Sequence, residues 1–153
     1  MTAALPPMDA HWMPFTANRD FKAAPRIITR ASGHHYTASD GRQIYDLFAG
    51  LWTTGLGHCH PKIVEAVQAQ VATLDYSIGF QVANDRAFEL AERVIGLAPE
   101  DFSHCFFTNS GSESVDTALK IALGYHRARG EGTRTRLVGR ERGYHGVNFG
   151  GIS

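Results

Sequence analysis

Residues 106–113 constrain the fold of this 153-residue chain more than any other segment. A short apolar run ends at Phe106-Phe107, small polar residues follow at once, and an amphipathic helical pattern starts directly after them. A strand that leads into a helix in this way brings backbone N–H groups, a glycine and two hydroxyls to the positive end of the helix dipole. The segment therefore predicts a binding site for a phosphate or another dianion.

A purely structural explanation of the same residues stays open. Ser110 and Glu113 have the spacing of a capping box, in which the serine side chain bonds forward and the glutamate reaches back. Gly111 argues against capping alone, because glycine costs a helix about 1 kcal/mol relative to alanine. Its benefit would be the close approach of a ligand to bare backbone.

A second motif lies at residues 143–146, where Tyr144 and His145 stand between two glycines. It follows a predicted strand over residues 135–139, and open α/β sheets bind ligands at the carboxyl ends of their strands. Tyr144 can offer a flat face to a planar ring, and His145 could orient that ring or tune a proton. Alone, the motif is typical of a surface loop; one helix and one strand after the anion site, it predicts a shared site.

The rest of the chain divides into simple patterns. Residues up to Pro25 predict an extended arm, and residues 26–46 predict a small antiparallel meander with turns at Ser32-Gly33 and Asp40-Gly41. A glycine-rich loop covers residues 47–60. We expect the arm and the small sheet to occupy residues 1–60.

Residues 61–153 predict the start of a large α/β domain. Helices are predicted to begin at Pro61, at Asn84 or Asp85, and after Ser110, and strands at residues 106–107 and 135–139. Helix and strand in alternation indicate a parallel sheet. Asp116 and Lys120 have the spacing of an ion pair on the polar face of the last helix.

Composition excludes several classes of function. The chain is 43% hydrophobic and 20% charged with zero formal net charge, so no general attraction to nucleic acid or to an anionic membrane is expected. The N-terminal residues predict no secretory signal, and no apolar run approaches the ~20 residues of a membrane-spanning helix. Two cysteines make no disulfide framework and suit a reducing compartment, so we expect a cytoplasmic protein.

Two residue clusters suggest binding but are explained otherwise. The arginines between residues 127 and 142 are typical of a solvated helix end and loop, where cations are favourable. His58, Cys59 and His60 are metal-ligand types, but adjacent positions do not all face one ion and no second cluster completes a tetrahedral site. No metal is therefore expected.

Four blocks of sequence, in the same order, resemble the N-terminal part of the class III, fold-type I aminotransferases, and most closely the omega-amino acid (beta-alanine):pyruvate aminotransferases. The blocks are residues 11–19 (HWMPFTANR), 46–52 (DLFAGLW) with 57–61 (GHCHP), 107–114 (FTNSGSES) and 139–146 (GRERGYHG). The resemblance implies pyridoxal 5'-phosphate as the cofactor and a fold-type I α/β fold that this chain holds only in part.

The resemblance also implies roles for individual residues. The cofactor phosphate would be held by Ser110, Gly111 and Ser112. Tyr144 would stack on the cofactor ring with His145 beside it, and Glu113 would lie near the cofactor. Phe15 and Trp52 match positions that shape the substrate pocket.

Other family residues are expected beyond Ser153. They are the Schiff-base lysine, the aspartate that partners the pyridinium nitrogen and the arginine that meets the substrate carboxylate. No catalytic role is assigned to Lys22, Lys62 or Lys120, and we expect the 153 residues alone to be inactive.

The implied reaction moves an amino group from an omega-amino acid or amine to pyruvate, in a homodimer. Three alternatives stay open: an aminomutase or decarboxylating relative of the same class, a noncatalytic truncated product that pairs with a full-length partner, and an anion-binding α/β module of unrelated function.

Overall fold

The computed structural model describes residues 6–152, which form two compact units that divide between Ile78 and Gly79. The first unit holds the small sheet, the glycine-rich loop and the helix that begins at Pro61. The second holds the two later helices and the loops that follow them. The predicted domain division at residue 60 concerns the complete fold and stays a prediction.

The sheet of the first unit is the predicted antiparallel meander. Strands β1 (Ile28–Ser32), β2 (His35–Ala38) and β3 (Gln43–Tyr45) lie side by side in chain order. Gly33 and Gly41 occupy the two connecting turns with φ of 54° and 87°, a region that a residue without Cβ enters freely. The turn dipeptides therefore predicted both reversals correctly.

The N-terminal arm departs from the prediction, because it contains a short helix, α1 (Asn18–Ala23). The Asn18 side chain accepts a hydrogen bond from the Met13 N–H and donates one to the Met13 carbonyl, both at 2.8 Å. These bonds fold the chain back just before the helix and compete with an extended course. The expectation of a wholly extended arm was wrong for that reason.

The glycine-rich loop contains a helical turn of unusual hand, α2 (Ala49–Trp52). All four residues have positive φ, from 47° to 70°, so the turn is left-handed. For residues that carry a Cβ this conformation costs roughly 1–2 kcal/mol each. Helix α3 (Pro61–Thr73) follows and begins, as predicted, with a proline in its first turn.

In the second unit the helices are as predicted and the strands are not. Helix α4 (Asp85–Leu97) is capped by Asn84, whose side chain accepts the Ala87 N–H at 2.9 Å, and α5 (Gly111–Ala128) starts after Ser110. Within residues 6–152, the segments 106–107 and 135–139 pair with no neighbouring strand. A strand forms only when its N–H and C=O groups find partners on a neighbour, and apolar composition does not supply one.

The helices leave their apolar faces exposed. Apolar side chains of α3 and α4 are accessible, including those of Ile63, Val67 and Leu90. Within each unit, no helix of the described residues packs against another helix or against a strand. None of the helices in that part is both long and apolar enough to cross a membrane.

The predicted ion pair on α5 was wrong. Asp116 forms no ion pair with Lys120 within the described residues; its Oδ1 accepts the backbone N–H of Gly151 at 3.2 Å. A backbone donor that comes close and needs a partner competes successfully with a solvated lysine, since exposed ion pairs contribute little.

Candidate functional site

The first turn of α5 forms a capping box with an extra step. Ser110 Oγ accepts the Glu113 N–H at 3.2 Å, and Glu113 Oε2 accepts the N–H of Asn109 at 2.7 Å, one residue further back than usual. The structural explanation for Ser110 and Glu113 is therefore realised in the molecule. It accounts for two of the donors at this helix end and leaves others.

The N–H groups of Gly111 and Ser112 are among those remaining donors. Neither has an acceptor among the described residues, and a Cβ added to Gly111 would meet nothing within 4 Å. Two unpaired N–H groups at the positive end of an 18-residue helix, approached through open space, match what a phosphate requires. The arrangement can therefore hold a phosphate ester.

The second predicted motif crosses this same helix turn. Ser112 Oγ accepts the Val147 N–H at 2.9 Å, between residues 35 positions apart. Gly146, with φ of 113°, packs so closely that a Cβ there would lie 3.0 Å from Ser112 Cα. The expectation that residues 110–112 and the loop of Tyr144 adjoin each other is met.

Tyr144 and His145 differ in their surroundings within this loop. Tyr144 is 76% exposed as a residue, so its ring is accessible for stacking. His145 is partly buried and lines an apolar cavity with Val115 and Leu119 of α5. The cavity also borders residues 137–139, so the segment that was predicted to be a strand lies beside α5 without forming one.

Asp116 is a residue that the sequence analysis misassigned. Through the bond to Gly151 it ties the far end of the same loop to α5, one helical turn after Ser112. Positions i and i+4 of a helix share a face, and Gly146 and Gly151 allow the loop to approach closely. That spacing, together with the glycines, is the signal that could have identified it.

Phe15 and Trp52, the two predicted substrate residues, both lie in the first unit. The two residues are 93% and 82% exposed, and both have positive φ. Their roles stay predictions.

A buried carboxylate, Asp46, lies six residues before Trp52 and was missed as a site residue. Asp46 accepts the N–H of Phe48 at 2.9 Å and of Gly50 at 2.7 Å, and it lies 2.7 Å from His58 Nε2. Burial raises the pKa of Asp46, but the bonds from His58, from the two backbone donors and from Tyr36 outweigh it and lower that pKa to about 2. Asp46 is therefore ionised throughout the physiological range.

His58 is hydrogen-bonded to this carboxylate through its Nε2 atom. Within residues 6–152, no group of three histidine, cysteine or acidic side chains has the arrangement of a metal site.

Comparison with known proteins identifies the family. Residues 16–153 match the Aminotransferase class-III family. The chain belongs to that family. An omega-aminotransferase of Caulobacter vibrioides is 57% identical over 95% of this chain, and a beta-alanine–pyruvate aminotransferase of Pseudomonas aeruginosa is 53% identical over 94%. The aligned regions are 33% and 32% of those relatives, so this class-III chain spans about a third of their length.

Solved structures agree with the assignment of this class-III chain to fold-type I. An amine transaminase from an uncultivated Pseudomonas species in the PLP-bound form is 36% identical, with a TM-score of 0.88 over 96% of this chain and 34% of its own. The omega transaminase of Pseudomonas jessenii in complex with PMP is 33% identical, with a TM-score of 0.84 over 90% of this chain and 31% of its own. The fold class predicted from the sequence is confirmed.

The class-III chain has three lysines, at positions 22, 62 and 120. Lys22 donates to the Asp9 carbonyl at 2.9 Å, Lys62 is in the first turn of α3, and Lys120 is on α5.

Proposed function

We propose that this chain is part of a pyridoxal-phosphate-dependent transaminase that moves an amino group from an omega-amino acid or amine to pyruvate. One observation carries the proposal. Two backbone N–H groups in the first turn of α5 have no acceptor among the described residues, and the Tyr144 loop is hydrogen-bonded to Ser112 of that same turn. The relatives named omega-aminotransferase and beta-alanine–pyruvate aminotransferase support the substrate class. The activity, the homodimer and the cytoplasmic location belong to the complete protein.

Residues at the start of α5 would each donate hydrogen bonds to the phosphate. Gly111 and Ser112 would donate their N–H groups, and the hydroxyls of Ser110 and Ser112 would donate as well. Each hydroxyl already accepts one backbone N–H, and a hydroxyl that accepts keeps its own proton to give. Glu113 would hold the Asn109 backbone near the cofactor and leave the phosphate donors free.

The loop residues would bind the ring. Tyr144 would stack on it, and His145 would support the loop from the apolar cavity against α5. Pyridoxal phosphate supplies the electron sink of the reaction, and the protein binds and orients it.

Phe15 and Trp52 would contact the apolar part of the amino donor. A thermostable omega transaminase variant engineered for asymmetric synthesis of enantiopure bulky amines, with a TM-score of 0.84 to this chain, carries replacements of a tryptophan, a phenylalanine and an arginine. This supports an aromatic residue as a determinant of donor size, and we assign that part to Trp52.

Gly111 permits a direct test of the phosphate site in the complete protein. Gly111→Pro removes one proposed donor, while proline is favourable at the first position of a helix and the extended Ser110 (φ −154°, ψ 159°) suits a following proline. We expect affinity for pyridoxal phosphate to fall about tenfold, as expected for a lost bond to a charged acceptor. Binding should be measured by absorbance titration.

Two controls accompany that titration. Gly111→Ala keeps the N–H and should lose less affinity than the proline variant, and pyridoxal, which lacks the phosphate, should bind both variants equally. Equal losses for pyridoxal and its phosphate would contradict a phosphate site at α5.

The reaction class has a separate test. The complete protein should form alanine from pyruvate with beta-alanine or an amine as donor. Chromatography measures the alanine formed. Isomerised or decarboxylated donor without alanine would favour the aminomutase or the decarboxylating alternative. A cofactor adduct on Lys22, Lys62 or Lys120 that borohydride reduces to a stable amine would contradict the expectation that none of these lysines is catalytic.

A further inference from the structure

We propose that Asp46 is a positioning residue for the amino donor: its carboxylate fills a backbone anion nest and thereby holds the left-handed turn α2, which presents Trp52. The contribution to the donor rests on the proposed function, because it assumes that Trp52 contacts the donor. The mechanical part, that Asp46 holds the turn, stands on the geometry alone.

The turn needs an external constraint. Gly50 (φ 60°, ψ 38°) suits a left-handed turn, but Ala49, Leu51 and Trp52 also have positive φ of 47°, 58° and 70°. Side chains with a Cβ avoid this region, and single strained residues persist only where the surroundings over-determine them. Strain of this kind concentrates at functional sites.

The constraint is the carboxylate of Asp46. Phe48 (φ −111°, ψ 5°) and Ala49 (φ 47°) alternate in handedness, which turns successive N–H groups toward one point and makes an anion-binding nest. Asp46 occupies that point: Oδ1 accepts the N–H of Phe48 at 2.9 Å and Oδ2 that of Gly50 at 2.7 Å. Two further bonds, from Trp52 N to the Phe48 carbonyl and from Thr54 N to the Ala49 carbonyl, close the turn.

The carboxylate is in turn held by the sheet. Its Oδ2 lies 2.7 Å from His58 Nε2, and the Asp46 and His58 side chains are only 6% and 11% exposed. The His58 backbone pairs with Gly33 in both directions, and the Tyr36 ring lies 4.4 Å from the His58 ring. A continuous set of hydrogen bonds therefore runs from the β1–β2 turn through His58 and Asp46 to the left-handed turn α2.

Trp52 depends on this support for its direction. Its side chain is largely exposed, so packing does not orient it. The backbone of the turn sets the position and direction of the Trp52 Cα–Cβ bond, from which the indole extends.

The mechanical part is tested by hydrogen exchange on the complete protein, with no need of activity. Asp46→Asn keeps the shape of the side chain but loses its charge and one acceptor oxygen. We expect the amides of residues 48–54 to exchange about tenfold faster, as a lost charged acceptor implies. Asp40→Asn is the matched control, because Asp40 also accepts a backbone N–H two residues ahead, in the β2–β3 turn; it should leave residues 48–54 unchanged. Unchanged exchange in Asp46→Asn would overturn the proposal.

The contribution to the donor is tested by a double-mutant cycle. The quantity is the ratio of kcat/KM for a bulky aromatic amine to that for beta-alanine. Asp46→Asn should change this ratio roughly threefold or more when Trp52 is present and hardly at all in Trp52→Ala, because coupled residues are not additive. An equal change in both backgrounds would overturn an action through Trp52.

A milder variant covers the case in which Asp46→Asn does not fold. His58→Phe removes the ring nitrogen that anchors Asp46 and should change exchange and selectivity in the same direction by less; no change in either would overturn the proposal. A wild-type protein that transaminates neither donor would refute the proposed function, and hydrogen exchange would still decide the mechanical part.

Discussion

The Asp46 cluster in the first unit and the start of α5 in the second both use a buried or half-buried acceptor to fix a loop that comes close to it. At Asp46, each bond comes from the protein: two backbone donors and His58. At α5, Ser112 and Asp116 bind the loop, yet the N–H groups of Gly111 and Ser112 keep no partner in the described chain.

This difference separates a support from a binding site. A polar group without a partner is costly once water is excluded, so a cluster that satisfies all its members can be buried permanently. A cluster that leaves two donors open is stable only where solvent or a ligand reaches it. We infer that the first arrangement fixes a backbone and the second receives an anion.

The largest effect is expected where the loop touches α5. Gly146→Ala would place a Cβ 3.0 Å from Ser112 Cα at a φ of 113°, and overpacking of that kind costs about 1–3 kcal/mol. The loop should separate from the helix and the affinity for pyridoxal phosphate should fall about tenfold or more. Gly124→Ala on α5, where a Cβ meets nothing within 4 Å, is the control and should bind the cofactor normally. A tight-binding Gly146→Ala protein would show that the loop does not need this approach.

A smaller effect, with a change of sign, is expected in the strained turn. Ala49→Gly should raise the melting temperature of the complete protein, because glycine relieves the positive φ of Ala49 by on the order of 1 kcal/mol. Ala66→Gly is the same chemical change in the middle of the exposed α3. It should lower the melting temperature, because glycine there reduces the free energy of unfolding by about 0.5–1 kcal/mol. Two shifts of the same sign would mean that the turn is not under strain.

The smallest effect is the pH dependence of the first cluster. The pKa of Asp46 is lowered from 3.8 to about 2 in the folded chain, so the unfolded chain binds the proton more readily. The stabilisation is therefore complete above pH 3.8 and is lost as pH falls through about 2. Thermal unfolding should show wild type losing stability faster than Asp46→Asn below pH 3.8, with a constant difference between pH 5 and 8. A difference that varies above pH 5 would point to another titrating group.

Local signals in the sequence accounted for much of the fold. Pro61, Asn84 and Ser110 predicted the starts of the three longer helices, because a cap or a fixed φ acts on the next few residues only. Ser32-Gly33 and Asp40-Gly41 predicted the reversals of the meander for the same reason. The helix over residues 18–23 was missed because its start depends on Asn18 bonding back to Met13.

Partners far apart in the chain were beyond such signals. The segments 106–107 and 135–139 have the composition of strands, but a strand is made by its neighbour. Asp116 appeared to belong with Lys120 because that pairing is local, whereas its actual partner, Gly151, is 35 positions away.

By itself the sequence determined the family, the helix starts, the small sheet and the residues proposed to receive a phosphate and a ring, since each has a short-range pattern. Only the tertiary structure decided that Ser112 and Asp116 hold the loop of Tyr144. It also decided that Asp46, bonded to His58, accepts the N–H groups of a left-handed turn. Such contacts depend on which backbone groups meet after the chain has folded. The hydrogen bonds that offset the backbone strain of the turn form only then.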